Sequence, residues 1–366
     1  MKANSEQSHK KAAPARKTSK AAGSPKKSHT ARWVVLSLVA AVLASAAVWA
    51  YNAAFHGYPG TAIVKITIPD SLSAEQLKAL LVNNLGTDFG NNVYRIFDFR
   101  GGQTHKARGY YEIKPGDRAW SVANRLRSGA QTPRRLTFNN IRTFKELSEH
   151  ISKNFIWDAD SFAAVADSLL PELGFKAPET FIAAFLPDSY EFYYTASPAK
   201  VIKTLVDYRD KFWNDERTAK AAKLGLTPVE VAIVASITEE ETAKADELPK
   251  VARLYLNRIK EKMKLQADPT VKFAIGDFAL RRISGNMLKT PSPYNTYQVE
   301  GLPPGPIRLA DKRAIDAVLN APQHDYLYMC AKPDFSGYHN FTRDYNAHQA
   351  NARAYQNKLN ELNIKK

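Results

Sequence analysis

The feature that most constrains this chain is the apolar run over residues 33–51, which is broken only by Ser37 and Ser45. As a helix rising about 1.5 Å per residue, such a run is long enough to cross a hydrocarbon core of roughly 30 Å. Trp33, Trp49 and Tyr51 stand near its ends, where interfacial aromatics sit. The run therefore predicts a single transmembrane helix over residues 33–53. A cleaved signal peptide is the competing reading, but its apolar region would be shorter, and it would seldom follow so long a basic tail. That tail, residues 1–32, holds nine Lys or Arg against the single Glu6, has no aromatic residue and supplies half of the net charge of +16. Its composition predicts disorder. The positive-inside rule places it in the cytoplasm and everything after Tyr51 outside. Basic arms also bind phosphate backbones, but topology already accounts for this charge, and no nucleic-acid partner is assigned.

Beyond the span the sequence is that of a folded protein, 44% hydrophobic and 24% charged, with room for two or three units. Its one cysteine, Cys330, excludes an intramolecular disulfide and a cysteine-rich zinc site. Alternation over residues 61–68 predicts a strand. Ser73 and Gln76 form a capping box for a helix carrying Leu77, Leu80 and Leu81. Residues 93–99 and 109–113 read as further strands. Pro115, Gly116 and Asp117 then turn the chain into a helix with Trp120, Val122, Ala123 and Leu126 inside. Residues 134–138 return as a strand, and Thr143 with Glu146 starts another helix. The run over residues 111–123 resembles the first half of a LysM module, a small fold associated with N-acetylglucosamine-containing glycans; a strand, a turn and a helix with a buried Trp would read the same way. Residues 158–222 are mostly helical, interrupted by an extended segment at 185–192.

The next helix opens with Thr227 as cap, Pro228 at the first helical position and Glu230 at the capping-box position. It is almost wholly apolar until Glu239, Glu240 and Glu241 arrive together. Ala232, Ala235 and Ser236 share a face with Glu239, which predicts room for a ligand there, with Glu240 turned away. A carboxyl group late in a helix, beside like charges and apolar neighbours, is biased toward its protonated form. A solvated acidic helix end is the blander alternative. Later loops rich in proline carry Gln266, Asp268, Tyr294 and Asn295. Such groups suit a polyhydroxylated ligand, although each could instead close a turn.

The motifs Ala235-Ser236-Ile237-Thr238-Glu239-Glu240-Glu241-Thr242, Asn257-Arg258, Leu265-Gln266-Ala267-Asp268-Pro269-Thr270-Val271, Ser292-Pro293-Tyr294-Asn295-Thr296-Tyr297, Gly301-Leu302-Pro303-Pro304-Gly305-Pro306-Ile307 and Asp325-Tyr326-Leu327-Tyr328 fall in one order. In that order the chain resembles the MltG (YceG-like) family of membrane-anchored endolytic murein transglycosylases. The resemblance, which includes Pro187-Asp188-Ser189-Tyr190, implies a carbon–oxygen lyase of the bacterial inner membrane, its catalytic domain periplasmic or extracytoplasmic. Such an enzyme cuts the β-1,4 bond between N-acetylmuramic acid and N-acetylglucosamine within nascent strands and so terminates their elongation. Glycan strands would be its substrate and cell-wall synthases its neighbours, with no cofactor and no metal. Glu239 matches the first acid of the motif and is the expected catalytic residue. Glu241 matches the second acid and is expected, with Gln266, Asp268, Tyr294 and Asn295, to bind sugar or position Glu239. Thr238 and Glu240 depart from the family pattern, as does the segment 276–290.

The fold class expected is α+β: one N-terminal transmembrane helix, a LysM-like α/β subdomain and a mixed α/β catalytic domain. After the tail and span come a membrane-proximal region over residues 60–151 with its LysM-like part at 109–151, a mainly helical connection over 152–222 and the catalytic domain over 223–361. The chemistry agrees with one acid. Ordinary glycosidases need two carboxylates, whereas the muramyl C6 hydroxyl, held close by its own ring, can replace the activated water. A muramidase using water and a non-catalytic, membrane-tethered glycan-binding protein are the alternatives. Ser197 and Lys200 lack the companion motifs of penicillin-binding proteins. His324, His339 and His348 lack metal-ligand spacing and read as surface or structural residues.

Overall fold

The structure is a computed structural model that describes residues 29–70, 72–280, 283 and 285–362. The basic tail lies outside the described residues up to residue 28. Two compact units divide the chain at Phe55. The first contains α1 (His29–Phe55), whose apolar side chains, Trp33, Leu36 and Leu43 among them, stand exposed. With a mean hydropathy of 2.2, it is the one unbroken helix among the described residues that is long and apolar enough to cross a membrane.

The second unit opens on β1 (Val64–Ile68), which turns Ile66 and Ile68 inward. The capping box is present: the Gln76 amide donates to Ser73 Oγ and the Ser73 amide to Gln76 Oε1, starting α2 (Ala74–Leu85). Residues 93–99 are not the strand expected but the end of α3 (Thr87–Phe99). Phe89, Val93 and Phe97 recur every four residues and all face the core. Gly90 lets this helix lie close on α2, since a Cβ there would meet the Leu81 carbonyl oxygen at 2.7 Å. A short, mostly apolar run alone does not separate strand from helix. β2 (Gly109–Ile113) pairs antiparallel with β1, Val64 opposite Ile113. In α4 (Ala119–Ser128) Val122, Ala123 and Leu126 are buried as expected, but Trp120 is only half-buried, its ring under the Arg100 guanidinium at 4.6 Å.

These elements close a small core that ends at Leu126, and a second, larger core begins at Leu136 on β3 (Arg134–Phe138). The segment 109–151, expected to hold the LysM-like part, is therefore shared between two cores. β3 pairs antiparallel with β4 (Asp188–Phe192), and α5 (Phe144–Ser152), α6 (Ala159–Glu172), α7 (Pro198–Phe212) and α8 (Asp215–Lys223) complete the first half of the larger core. Its axis is α9 (Pro228–Glu241), started by the Thr227 and Glu230 capping box. Every residue from Val231 to Thr238 is buried. Each of Val231, Ile233, Val234 and Ile237 contributes roughly 1.5–3 kcal/mol by leaving water. Around α9 pack α10 (Leu248–Lys260), α11 (Asp268–Ile275) and α12 (Lys312–Leu319). An antiparallel hairpin of β5 (Tyr328–Ala331) and β6 (His339–Thr342), backed by α13 (Tyr345–Glu361), closes the unit.

Candidate active site

The three acids at the end of α9 diverge into two environments. Glu239 Oε2 accepts the Asp311 amide at 3.0 Å, and Oε1 lies 3.3 Å from Arg308 Nη2. Arg308 also pairs with Glu240 at 2.5 Å, and Arg142 meets the other oxygen of Glu240 at 3.0 Å. Glu240 thus does not turn away from Glu239; one guanidinium bridges both. Burial pushes the Glu239 carboxyl upward, opposed by the Asp311 amide and by Arg308. The small-residue face expected to leave room for a ligand is filled by protein. Ala232, Ala235 and Ser236 are buried, and Ser236 Oγ accepts the Ile307 amide at 3.1 Å.

Glu241 points elsewhere, into a cavity of 390 Å³ between the end of α9, the start of α11 and the β5–β6 hairpin. Its Oε1 accepts the Tyr255 hydroxyl at 2.7 Å. Burial dominates and lifts its pKa to about 7; Asp268 adds to the rise, while the Tyr255 bond, Lys272 and Arg258 oppose it. At neutral pH such a group is protonated in a large fraction of molecules and can serve as acid or base. The cavity is within the range that encloses a small ligand.

Of the residues expected at the site, Gln266 and Asp268 line this cavity with Glu241, whereas Glu239, Tyr294 and Asn295 do not. Gln266 holds a left-handed backbone, φ 51°, and Arg258 fixes it by donating to its Oε1 at 3.2 Å and to the Leu265 carbonyl at 2.9 Å. A left-handed Gln is uncommon and persists where its surroundings determine it. Asp268 accepts the Tyr297 hydroxyl at 2.7 Å. Asn295 is fully buried and staples its own loop, donating to the Leu288 and Thr290 carbonyls at 3.0 and 2.8 Å. Tyr294 packs on Phe273 with ring centroids 4.6 Å apart, and burial pushes its hydroxyl up to about 12.

Sequence reasoning missed part of the cavity. His339 and His348, taken as surface or structural, both line it; His324, whose Nδ1 accepts the Tyr326 amide, is structural. His348 stacks on Tyr328 at 5.3 Å, and burial with Arg258 holds its pKa below the usual range. Tyr255, which donates to Glu241, is not among the residues the sequence singles out. No motif spacing joins these residues, because the hairpin and α13 bring them in from late in the chain. Arg258 had a signal, the Asn257-Arg258 pair. Among the described residues no group of three or more His, Cys, Asp or Glu could hold a metal ion.

A family model described as the YceG-like family matches residues 65–354. A Bacillus subtilis (strain 168) protein named endolytic murein transglycosylase is 39% identical over 128 residues, 35% of each chain. A protein of the same name from Streptococcus pneumoniae serotype 2 is 32% identical over 110 residues, 29% of this chain and 20% of the relative. The matched stretches thus span 35% and 20% of these relatives' lengths. A crystal structure of a YceG-like protein from Listeria monocytogenes covers 79% of this chain and 98% of its own at a TM-score of 0.53 and 23% identity, a likeness of fold.

Proposed function

This chain belongs to the YceG-like family, and we propose that it is a membrane-anchored endolytic murein lytic transglycosylase with Glu241, rather than Glu239, as its acid. The observation that carries the reading is the half-buried Glu241 carboxyl, facing a cavity it shares with Gln266 and Asp268 and lifted to about 7. The names of the relatives support the substrate class. Glu241 gives its proton to the β-1,4 glycosidic oxygen as the bond to C1 of N-acetylmuramic acid breaks, and the C6 hydroxyl of the same sugar attacks C1. The product is a 1,6-anhydro end. In a single-acid cycle the Glu241 carboxylate then recovers the hydroxyl proton. Gln266, held in place by Arg258, and Asp268, held by Tyr297, bind the sugar. Glu239 ties the end of α9 to the loop before α12. The apolar α1 holds the enzyme at the bacterial inner membrane, with the basic tail inside, where the nascent strands it cuts emerge from cell-wall synthases.

One observation favours a second reading. Asp268 stands in the same cavity as Glu241, and two carboxylates are what a muramidase using water requires. Cleavage of purified glycan strands in heavy-oxygen water separates the two: unlabelled anhydro ends support the transglycosylase, and one heavy oxygen at each new end replaces it with the muramidase. Long products appearing before disaccharides support the endolytic mode.

A further inference from the structure

The cavity contains a second group built to carry a proton. Glu247, buried just before α10, accepts the His339 amide on Oε1 at 2.8 Å; its Oε2 meets His339 Nδ1 at 2.8 Å and the Thr242 hydroxyl at 3.0 Å. A carboxylate only accepts, so Nδ1 carries a proton, and the ring nitrogen left without a proton in the neutral histidine is Nε2. That atom has no hydrogen-bond partner among the described residues, on a side chain that lines the cavity with Glu241. Thr242 directly follows Glu241, so the contact of its hydroxyl with Glu247 ties the acid and the histidine into one frame. A buried carboxylate behind an imidazole fixes its tautomer and balances the charge of the imidazolium when Nε2 takes a proton.

Resting on the transglycosylase reading, we infer that His339 is the base of the reaction and Glu241 its acid. As the C6 oxygen attacks C1, its proton passes to His339 Nε2. The C1–O4 bond breaks, and its electron pair stays on O4, which takes the proton of Glu241. The enzyme is left with a Glu241 carboxylate and a His339 imidazolium paired with Glu247. One proton passed through water from Nε2 to Glu241 restores both. No proton is gained or lost over the cycle.

The test uses the full chain in detergent acting on purified glycan strands. His339→Ala should lower kcat by about 10²- to 10⁴-fold with KM little changed, the range for losing a general base. Added imidazole should restore part of that turnover, which a purely structural role would not allow. Glu247→Gln should lower kcat although the ring remains, because its amide NH₂ faces Nδ1 and flips the tautomer. The assignment falls if either variant, folded by circular dichroism, keeps kcat within about tenfold of the wild type, or if imidazole leaves His339→Ala unchanged. Should His339→Ala not fold, the Glu247→Gln rate decides alone. Wild-type products without anhydro ends would defeat the transglycosylase reading itself; anhydro ends together with unimpaired variants would remove only His339.

Discussion

Glu239 and Glu241 differ by two positions on one helix, which is about 200° of rotation, so they cannot share a site. The sequence pointed to an acidic helix end but not to which acid met the cavity. Its stripe of small residues suggested empty space, and the stripe is small because the Ile307 segment packs on it. Glu241→Gln is expected to abolish cleavage, since the amide cannot supply the proton. The same change should stabilise the protein at high pH. The folded-state pKa of Glu241 is raised, so the native state holds a proton that the unfolded chain releases above about 4.5, and stability drains away as pH rises from there to about 7. The substitution removes that penalty, worth on the order of 3 kcal/mol at most above pH 7. Melting curves at pH 4.5 and pH 8 check it: the variant should gain at the higher pH alone. For the wild type, kcat/KM should fall as pH rises through about 7, where Glu241 loses its proton. Glu239→Gln keeps an acceptor for the Asp311 amide and loses the Arg308 pair, so it should cost about 1 kcal/mol and leave cleavage largely intact. An inactive Glu239→Gln beside an active Glu241→Gln would return the acid to the position first expected.

Elements with a local signal were legible and those set by packing were not. The capping boxes at Ser73 and Thr227 announced α2 and α9 because cap chemistry depends on residues three apart in the chain. The second half of α3 was misread because its helical face is defined by Phe89 and by the approach at Gly90, both outside residues 93–99. Of the cavity wall formed by β5, β6 and α13, only Tyr328 at the end of the Asp325–Tyr328 motif carried a signal, since hairpin and helix meet the end of α9 only in three dimensions. The proline-rich loop before α12 showed its stiffness in sequence but not its contact. A Cβ on Gly305 would lie 1.9 Å from the Glu179 carbonyl oxygen, against backbone that cannot swing aside as a side chain would. Gly305→Ala must therefore displace this loop, and with it Ile307, Arg308 and Asp311, which hold the end of α9. The expected cost is about 1–3 kcal/mol, as for other overpacked sites. A melting temperature equal to that of the wild type would show that the loop gives way without effort.

At the scale of the whole molecule, two units obey different solvents. In the second, large apolar residues are mostly buried in two cores, whereas α1 exposes Trp33, Val34, Leu38 and Val42 along its length. Exposure of that kind on one long helix is unfavourable in water and is satisfied by lipid. Residues 56–366, made without α1, should therefore remain soluble without detergent and keep the Glu241-dependent cleavage of free strands, while the full chain should stay with the membrane after alkaline extraction. Orientation follows from charge. Lys and Arg cost about 2.5–3.5 kcal/mol each at the centre of a membrane helix, and the nine in residues 1–32 are set against one acid, so the proposed orientation keeps the tail on the side where it is made. Protease added outside spheroplasts should then digest the chain beyond Tyr51 and spare an epitope placed in residues 1–32. Digestion of the tail with protection of the large unit would invert the topology and separate the Glu241 cavity from the cell-wall strands on which it is proposed to act.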